Sequence, residues 1–321
     1  MRDRGKRWAI VLAAGEGTRL RALTTDRTGV STPKQYCSLR GDGSLLDRTL
    51  RRGRRVVPRS NMVTVVAAQH RQWWESALAA LPEKNLIVQP RNRGTAAGLL
   101  LPLLSILSRD PEARVLVLPS DHFVEDEATL ERALRRALSE LERDRDGVIL
   151  LGITPDAAVP DYGWIVPQES AGRPTLAVSS FVEKPDPDTA ADLLEQGGAW
   201  NSFIFAARGR SLLRLYQRRL PGLLRAFHAA LGEKPGELTP ALIGLYEAIE
   251  TTDFSRDILQ GSEPSLRLLP VPPCGWTDLG TPARVSECLT RLRGSARGRA
   301  VTLPGFTGSL NLSLAAQAGA L

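Results

Sequence analysis

Cysteine is scarce in this sequence, and the three present, Cys37, Cys274 and Cys288, are widely scattered. That number and spacing exclude a disulfide framework and a zinc cluster, so small core or surface residues in a reducing, cytoplasmic setting are expected. Long hydrophobic runs are missing too. A bilayer span needs ~20 apolar residues. The longest candidate, Ala96–Leu107, has twelve residues and contains Pro102. Arg2, Arg4, Lys6 and Arg7 precede a short apolar run, Trp8 to Ala14, in the manner of an export signal. Gly15-Glu16-Gly17-Thr18-Arg19 then stands where a small-residue cleavage site belongs, which favours a buried strand. Aromatic residues are only 5% of the chain and do not interleave with its basic clusters, so no stacking groove is indicated. The net charge of +7 is accounted for by residues 1–7, which carry +3, and by Arg51, Arg52, Arg54 and Arg55, which carry +4. A basic tail and one arginine cluster read as solvated surface, and neither a nucleic-acid nor a membrane partner is expected.

What is present is a chain of 321 residues, 42% hydrophobic and 24% charged. It is long enough for roughly two domains, or for one large α/β domain with an appendage. Val-, Ile- and Leu-rich runs at Trp8–Ala13, Val63–Ala67, Leu86–Gln89, Val115–Leu118 and Val148–Ile153 lack polar alternation, as strands covered on both faces do. Leu130, Ala133, Leu134, Ala137, Leu138 and Leu141 recur at helical spacing with charges on the other face, which predicts an amphipathic helix. Strand–helix–strand repetition implies a mainly parallel sheet covered by helices. The second half is less regular: strands are expected at Tyr162–Pro167, Leu176–Val182 and Leu266–Val271, and helices near Ala190–Gln196 and over Leu212–Leu231, the latter punctuated by Pro221-Gly222. Residues 290–321 read as a small appendage with a strand-like Ser309–Leu314.

Several short segments carry chemistry. Leu12-Ala13-Ala14-Gly15-Glu16-Gly17-Thr18-Arg19-Leu20 follows the first strand. Its glycines let backbone N–H groups approach a phosphate, and Arg19 adds a planar donor fork. It is neither a dinucleotide fingerprint nor a P-loop, because Leu20 stands at the third glycine position and no Gly-Lys-Ser/Thr follows. Pro33-Lys34-Gln35 comes where the chain can return to the same crevice. Pro119-Ser120-Asp121-His122 ends a strand and puts a carboxylate where α/β ligands bind, or else caps the next helix. His122 reads as structural rather than as a base. Val182-Glu183-Lys184-Pro185, Trp200-Asn201-Ser202 and Trp276-Thr277-Asp278-Leu279-Gly280 add a strand-end acid and base, an amide able to read hydroxyls, and a second carboxylate for a metal. In Gln89-Pro90-Arg91-Asn92-Arg93-Gly94-Thr95, Gln89 offers an edge for a nucleobase and Thr95 an N-cap. Trp73 and Trp74 are expected to pack rather than to form a stacking platform.

Taken in order, these segments resemble the sugar-phosphate nucleotidylyltransferases, and among them the mannose-1-phosphate guanylyltransferase branch, over about residues 8–290. The resemblance implies an α/β fold of the nucleotide-diphospho-sugar transferase type, with a Rossmann-like mainly parallel or mixed sheet. It also implies a nucleotidylyltransferase domain over residues 1–289, with residues 290–321 as a candidate homodimer interface. It assigns Ala13, Ala14, Gly15, Gly17 and Thr18 to the nucleotide, Arg19 to its β- and γ-phosphates, and Lys34 to the reacting phosphates. Gln89, Gly94 and Thr95 correspond to base and ribose contacts, Asp121 and Asp278 to Mg²⁺ ligands. Gly163, Glu183 and Asn201 would line the sugar pocket, with Lys184 on the sugar phosphate. The implied substrates are GTP and a sugar-1-phosphate. Arg21-Ala22, Ala97, Phe203-Ile204 and Thr281-Pro282 depart from the family's usual residues, which leaves the charged set intact and opens the identity of the sugar. The chain is also expected to lack the fused isomerase domain of some relatives. Two other readings are a nucleotide-sensing subunit without activity and a glycosyltransferase. The first predicts loss of a charged site residue, and none is missing; the second predicts Asp-x-Asp, where Ser-Asp-His stands.

Overall fold

The computed structural model describes residues 6–168, 173–232 and 238–295, with side chains to residue 292. In chain order the elements are β1 (Arg7–Ala13), α1 (Arg21–Thr24), α2 (Leu45–Val56), β2 (Met62–Ala67), α3 (Arg71–Leu78), β3 (Leu86–Gln89), α4 (Gly94–Arg109), β4 (Arg114–Pro119), α5 (Glu127–Glu140), β5 (Val148–Ile153), β6 (Gly163–Gln168), β7 (Leu176–Glu183), α6 (Pro187–Glu195), β8 (Ala199–Arg208), α7 (Gly209–Arg219), α8 (Pro221–Ala230), α9 (Pro240–Ala248), β9 (Leu266–Val271) and α10 (Pro282–Ser295). The break expected at Pro221-Gly222 separates α7 from α8, as a proline does when it takes the first helical position. Of the expected appendage, α10 takes up residues 290–295; the strand-like Ser309–Leu314 lies outside the described residues.

Nine strands form one sheet in the order β3-β2-β1-β4-β8-β5-β9-β7-β6, and β6 also pairs with β8. The β1–β2, β1–β4, β2–β3 and β5–β9 pairings are parallel and the remaining five antiparallel. The sheet is thus mixed, parallel on the β1 side and largely antiparallel where the sugar-pocket residues are expected. The difference from the expected strand–helix alternation comes from β8. It runs antiparallel between β4 and β5, at a segment read only for the amide of Trp200-Asn201-Ser202.

The period of two along β1 sorts its side chains between two cores. Trp8 and Ile10 join a cluster with α4, α7, α8 and α9. Ala9, Val11 and Ala13 join a second with α2, α3 and α5. A third, smaller cluster gathers Leu20, Cys37, Leu39, Phe123, Leu279 and the apolar face of α10. All three cysteines are buried thiols. Trp74 packs in the second core and donates its indole N–H to the Ala67 carbonyl at 2.9 Å. Among the described residues no helix is long and apolar enough to cross a membrane.

Candidate active site

β1 lies between β2 and β4, all three parallel. The chain leaves β1 and β4 at the switch point of strand order, where open α/β sheets form a crevice at their carboxyl ends. A cleft of about 280 Å³ is lined there by Gly15, Arg19, Gln35, Thr95, Asp121, Gly163, Glu183, Asn201 and Asp278, together with several neighbours. Its first wall is the glycine turn. Gly17 has φ +61°, and a Cβ there would stand 3.2 Å from the Lys34 amide nitrogen, so glycine suits both conformation and space. Gln35, 2% exposed, donates its amide to the carbonyls of Ala13 at 3.0 Å and Gly15 at 2.9 Å. The Pro33-Lys34-Gln35 segment therefore returns to the crevice and shapes the turn from beneath. Thr18 and Arg19 are exposed.

At the centre, Lys34 connects the two carboxylate loops. Its ammonium is 2.9 Å from Asp121 Oδ2 and donates to the Asp278 carbonyl at 2.7 Å. Phe123 and Thr277 exchange two backbone hydrogen bonds of 2.9 Å, which holds these loops side by side. Burial works to raise the Asp121 carboxyl, but the Lys34 ammonium, with His122, outweighs it and holds the group at about 2. Asp278 is likewise held below the usual carboxylate range: burial opposes, while nearby His122 and Arg284 charges and a hydrogen bond from Tyr162 prevail. Asp121 is not a helix cap. That role belongs to Asp126, whose side chain accepts from Ala128 N and Thr129 N, both at 3.0 Å. Burial lowers the His122 imidazole, and its ring stands edge-on to Trp276 with centroids 5.3 Å apart. Edge-on packing of this kind suits a structural histidine.

The far wall comes from the antiparallel part of the sheet. Gly163 faces Glu183 across β6 and β7, and a Cβ on it would come within 2.5 Å of Glu183 Oε2 and 3.2 Å of Asn201 Cβ. Burial, reinforced by Asp253, pushes the Glu183 carboxyl up to about 7. Asn201 accepts from Phe203 N at 3.1 Å and reaches the Ser255 hydroxyl at 3.4 Å.

The family model for nucleotidyl transferases matches residues 8–292. The chain belongs to this family. It is 29% identical over 279 residues to the mannose-1-phosphate guanylyltransferase RfbM of Salmonella typhimurium, covering 85% of this chain and 56% of that protein. It is 30% identical over 285 residues to the mannose-1-phosphate guanylyltransferase of Escherichia coli K12, covering 86% and 58%. The chain thus spans a little over half the length of these curated relatives. A crystal structure described as a mannose-1-phosphate geranyltransferase from Thermus thermophilus matches with a TM-score of 0.75 at 26% identity, over 89% of this chain and 79% of that one. A UDP-glucose pyrophosphorylase complexed with UDP-glucose shares the fold, with a TM-score of 0.57 at 15% identity over 91% and 99%.

Within this family site, not every expected residue reaches the cleft. Gln89 is 2% exposed and donates its amide to the Tyr246 hydroxyl at 3.0 Å. It points into the core against α4, with no edge presented to a base. Gly94, at φ +84°, passes so close to the Thr252 backbone that a side chain there would collide with it. Thr95 is not the N-cap of α4, which begins a residue earlier at Gly94. Its hydroxyl instead accepts from Phe254 N at 2.7 Å and contacts Asp253 at 3.3 Å. Both residues dock the segment that carries Ser255 into the cleft. Ala13 is buried, with its carbonyl taken by Gln35; Ala14 is half-buried. Lys184, next in the chain to the cleft residue Glu183, is exposed, has φ +50° and is not among the residues that line the cleft.

The cleft-region residues that escape the sequence reading include Asp161, Tyr162, Ser255 and Arg284, and Gln35 as a support of the turn. Tyr162 directly precedes Gly163 and could have been found from it. Arg284 follows Asp278 by only six positions, in the first turn of α10, but no motif marks it.

The donor set fits a hard divalent cation such as Mg²⁺. Asp121 and Asp278 share one cleft, both are held ionised, and Mg²⁺ takes one or two carboxylates while keeping several waters. Among the described residues no group of three or more His, Cys, Asp or Glu side chains adds to them.

Proposed function

We propose that this chain catalyses formation of GDP-mannose and pyrophosphate from GTP and mannose-1-phosphate. The observation that carries the reading is convergence. Arg19, Asp121, Glu183, Asn201 and Asp278, distant in sequence, line a single cleft, and Lys34 bonds to both carboxylate loops. In the proposed reaction a phosphate oxygen of the sugar-1-phosphate attacks the α-phosphorus in line. The bond from that phosphorus to the bridging oxygen breaks, and pyrophosphate leaves with the electron pair. The attacking phosphate is already ionised, so no covalent intermediate or strong base is needed. The obstacles are repulsion between anions and misalignment, which cations and fixed geometry relieve.

In this reading the glycine turn and Arg19 hold the triphosphate, Glu183 and Asn201 orient the sugar hydroxyls, and the exposed Lys184 receives the sugar phosphate. Lys34 balances charge between the two anions. Asp121 and Asp278 would hold Mg²⁺, which supplies positive charge to the phosphate oxygens when bound. The relatives named mannose-1-phosphate guanylyltransferase support the choice of GTP and mannose-1-phosphate.

The test is a matrix of four nucleoside triphosphates against several sugar-1-phosphates, scored by pyrophosphate release with Mg²⁺. GTP with mannose-1-phosphate is expected to lead. If that pair ranks among the poorest, the guanylyl and mannosyl reading is refuted even where another pair reacts.

A further inference from the structure

Arg284 reaches the cleft from the first turn of α10, and three contacts fix it there. Its Nη1 donates to Asp278 Oδ1 at 3.0 Å, its Nη2 is 3.8 Å from Asp161 Oδ2, and its guanidinium carbon lies 4.1 Å from the centroid of the Tyr162 ring. The side chain is only 15% exposed. Behind it, Val285, Cys288, Leu289 and Leu292 pack α10 into the third core with Leu20 and Phe123. The helix that carries Arg284 is thus anchored on the elements that follow the glycine turn and Asp121.

Asp278 Oδ1 accepts more than the arginine. The Tyr162 hydroxyl donates to it at 2.8 Å and the Gly280 N–H at 2.9 Å. Three donors converge on one oxygen, while among the described residues no hydrogen bond to Oδ2 is recorded. A carboxylate held in this way can offer a cation only its other oxygen. Partners that orient a ligating carboxylate commonly govern metal affinity about 10- to 100-fold.

We propose that Arg284 is a positioning residue: with Tyr162 and Gly280 it saturates Oδ1 of Asp278 and presents Oδ2 as the oxygen that binds a divalent cation. The inference rests on reading Asp121 and Asp278 as the cation site. It makes a prediction opposite in sign to simple electrostatics. A positive charge beside a cation site repels the cation, so removing Arg284 would tighten metal binding if charge alone mattered.

The experiment titrates Mn²⁺ into the substrate-free full chain and follows the free ion by electron paramagnetic resonance. Arg284→Met keeps a long apolar stem over Tyr162 but removes the donor fork, Arg284→Lys keeps the charge, and Tyr162→Phe removes one Oδ1 donor without changing charge. Positioning predicts that Arg284→Met weakens Mn²⁺ at least about tenfold. Tyr162→Phe should weaken it by a smaller factor, and Arg284→Lys should recover part of the loss. Tighter or unchanged binding in Arg284→Met, with Tyr162→Phe at the wild-type value, overturns the proposal. Should Arg284→Met fail to fold, Tyr162→Phe decides the matter alone. A wild-type chain whose Mn²⁺ binding is absent, or is untouched by Asp121→Asn, overturns the cation-site reading beneath the proposal and the proposal with it.

Discussion

Replacing Gly163 by alanine separates recognition of the sugar from everything else the cleft does. The added Cβ would meet Glu183 Oε2 at 2.5 Å and Asn201 Cβ at 3.2 Å. The first atom is the end of a flexible side chain and can swing away, so the fold absorbs the methyl group at a cost below about 1 kcal/mol. The displaced carboxyl is the group proposed to hold sugar hydroxyls. Loss of an ordinary hydrogen bond costs about 0.5–1.5 kcal/mol, so kcat/KM for mannose-1-phosphate should fall roughly two- to tenfold. Nucleotide binding should be untouched, because Gly163 lies on β6 and the glycine turn follows β1. Steady-state kinetics with each substrate varied, alongside calorimetric titration of GTP, measures both quantities. Equal losses for the two substrates, or an unchanged kcat/KM for the sugar phosphate, would refute the reasoning.

Asp121→Asn removes the carboxylate that faces Lys34 at 2.9 Å. It should cost at least ~2 kcal/mol of transition-state stabilisation, about thirtyfold in kcat/KM, and wild-type turnover in that variant would contradict the assigned role. Glu183 supplies a pH signature: burial and Asp253 raise its carboxyl from 4.5 to about 7, so the folded chain favours the protonated form. The stability this contributes is fully present below pH 4.5 and is lost as pH rises through 7, by at most about 3 kcal/mol. Urea midpoints measured across this range should show that decline in the wild type, and Glu183→Gln should abolish Glu183's share of it.

How much of this could be read from the residues alone differs from element to element. β3, β5 and β9 lie where their apolar runs predict, Leu86–Gln89, Val148–Ile153 and Leu266–Val271, because a short apolar run announces a strand by composition, most plainly in β5, which is buried along its whole length. The Leu130–Leu141 pattern likewise becomes α5 (Glu127–Glu140), since helical spacing is a local property. Even Lys34 returns to the crevice as its position in the chain suggests. β8 escapes because strand direction is set by the neighbours a strand pairs with, here β4 and β5 on either side, and nothing in Trp200-Asn201-Ser202 specifies them. Gln89 shows the same divide within one residue: its strand was legible, but its side chain follows the Tyr246 hydroxyl 157 positions away into the core. Local pattern therefore determined most of the strands and helices and the charged residues at their ends. Which of those residues share a cleft, and which are taken up by the core or by one another, was decided only when distant segments packed together, because burial and hydrogen bonding depend on neighbours the linear order does not place side by side.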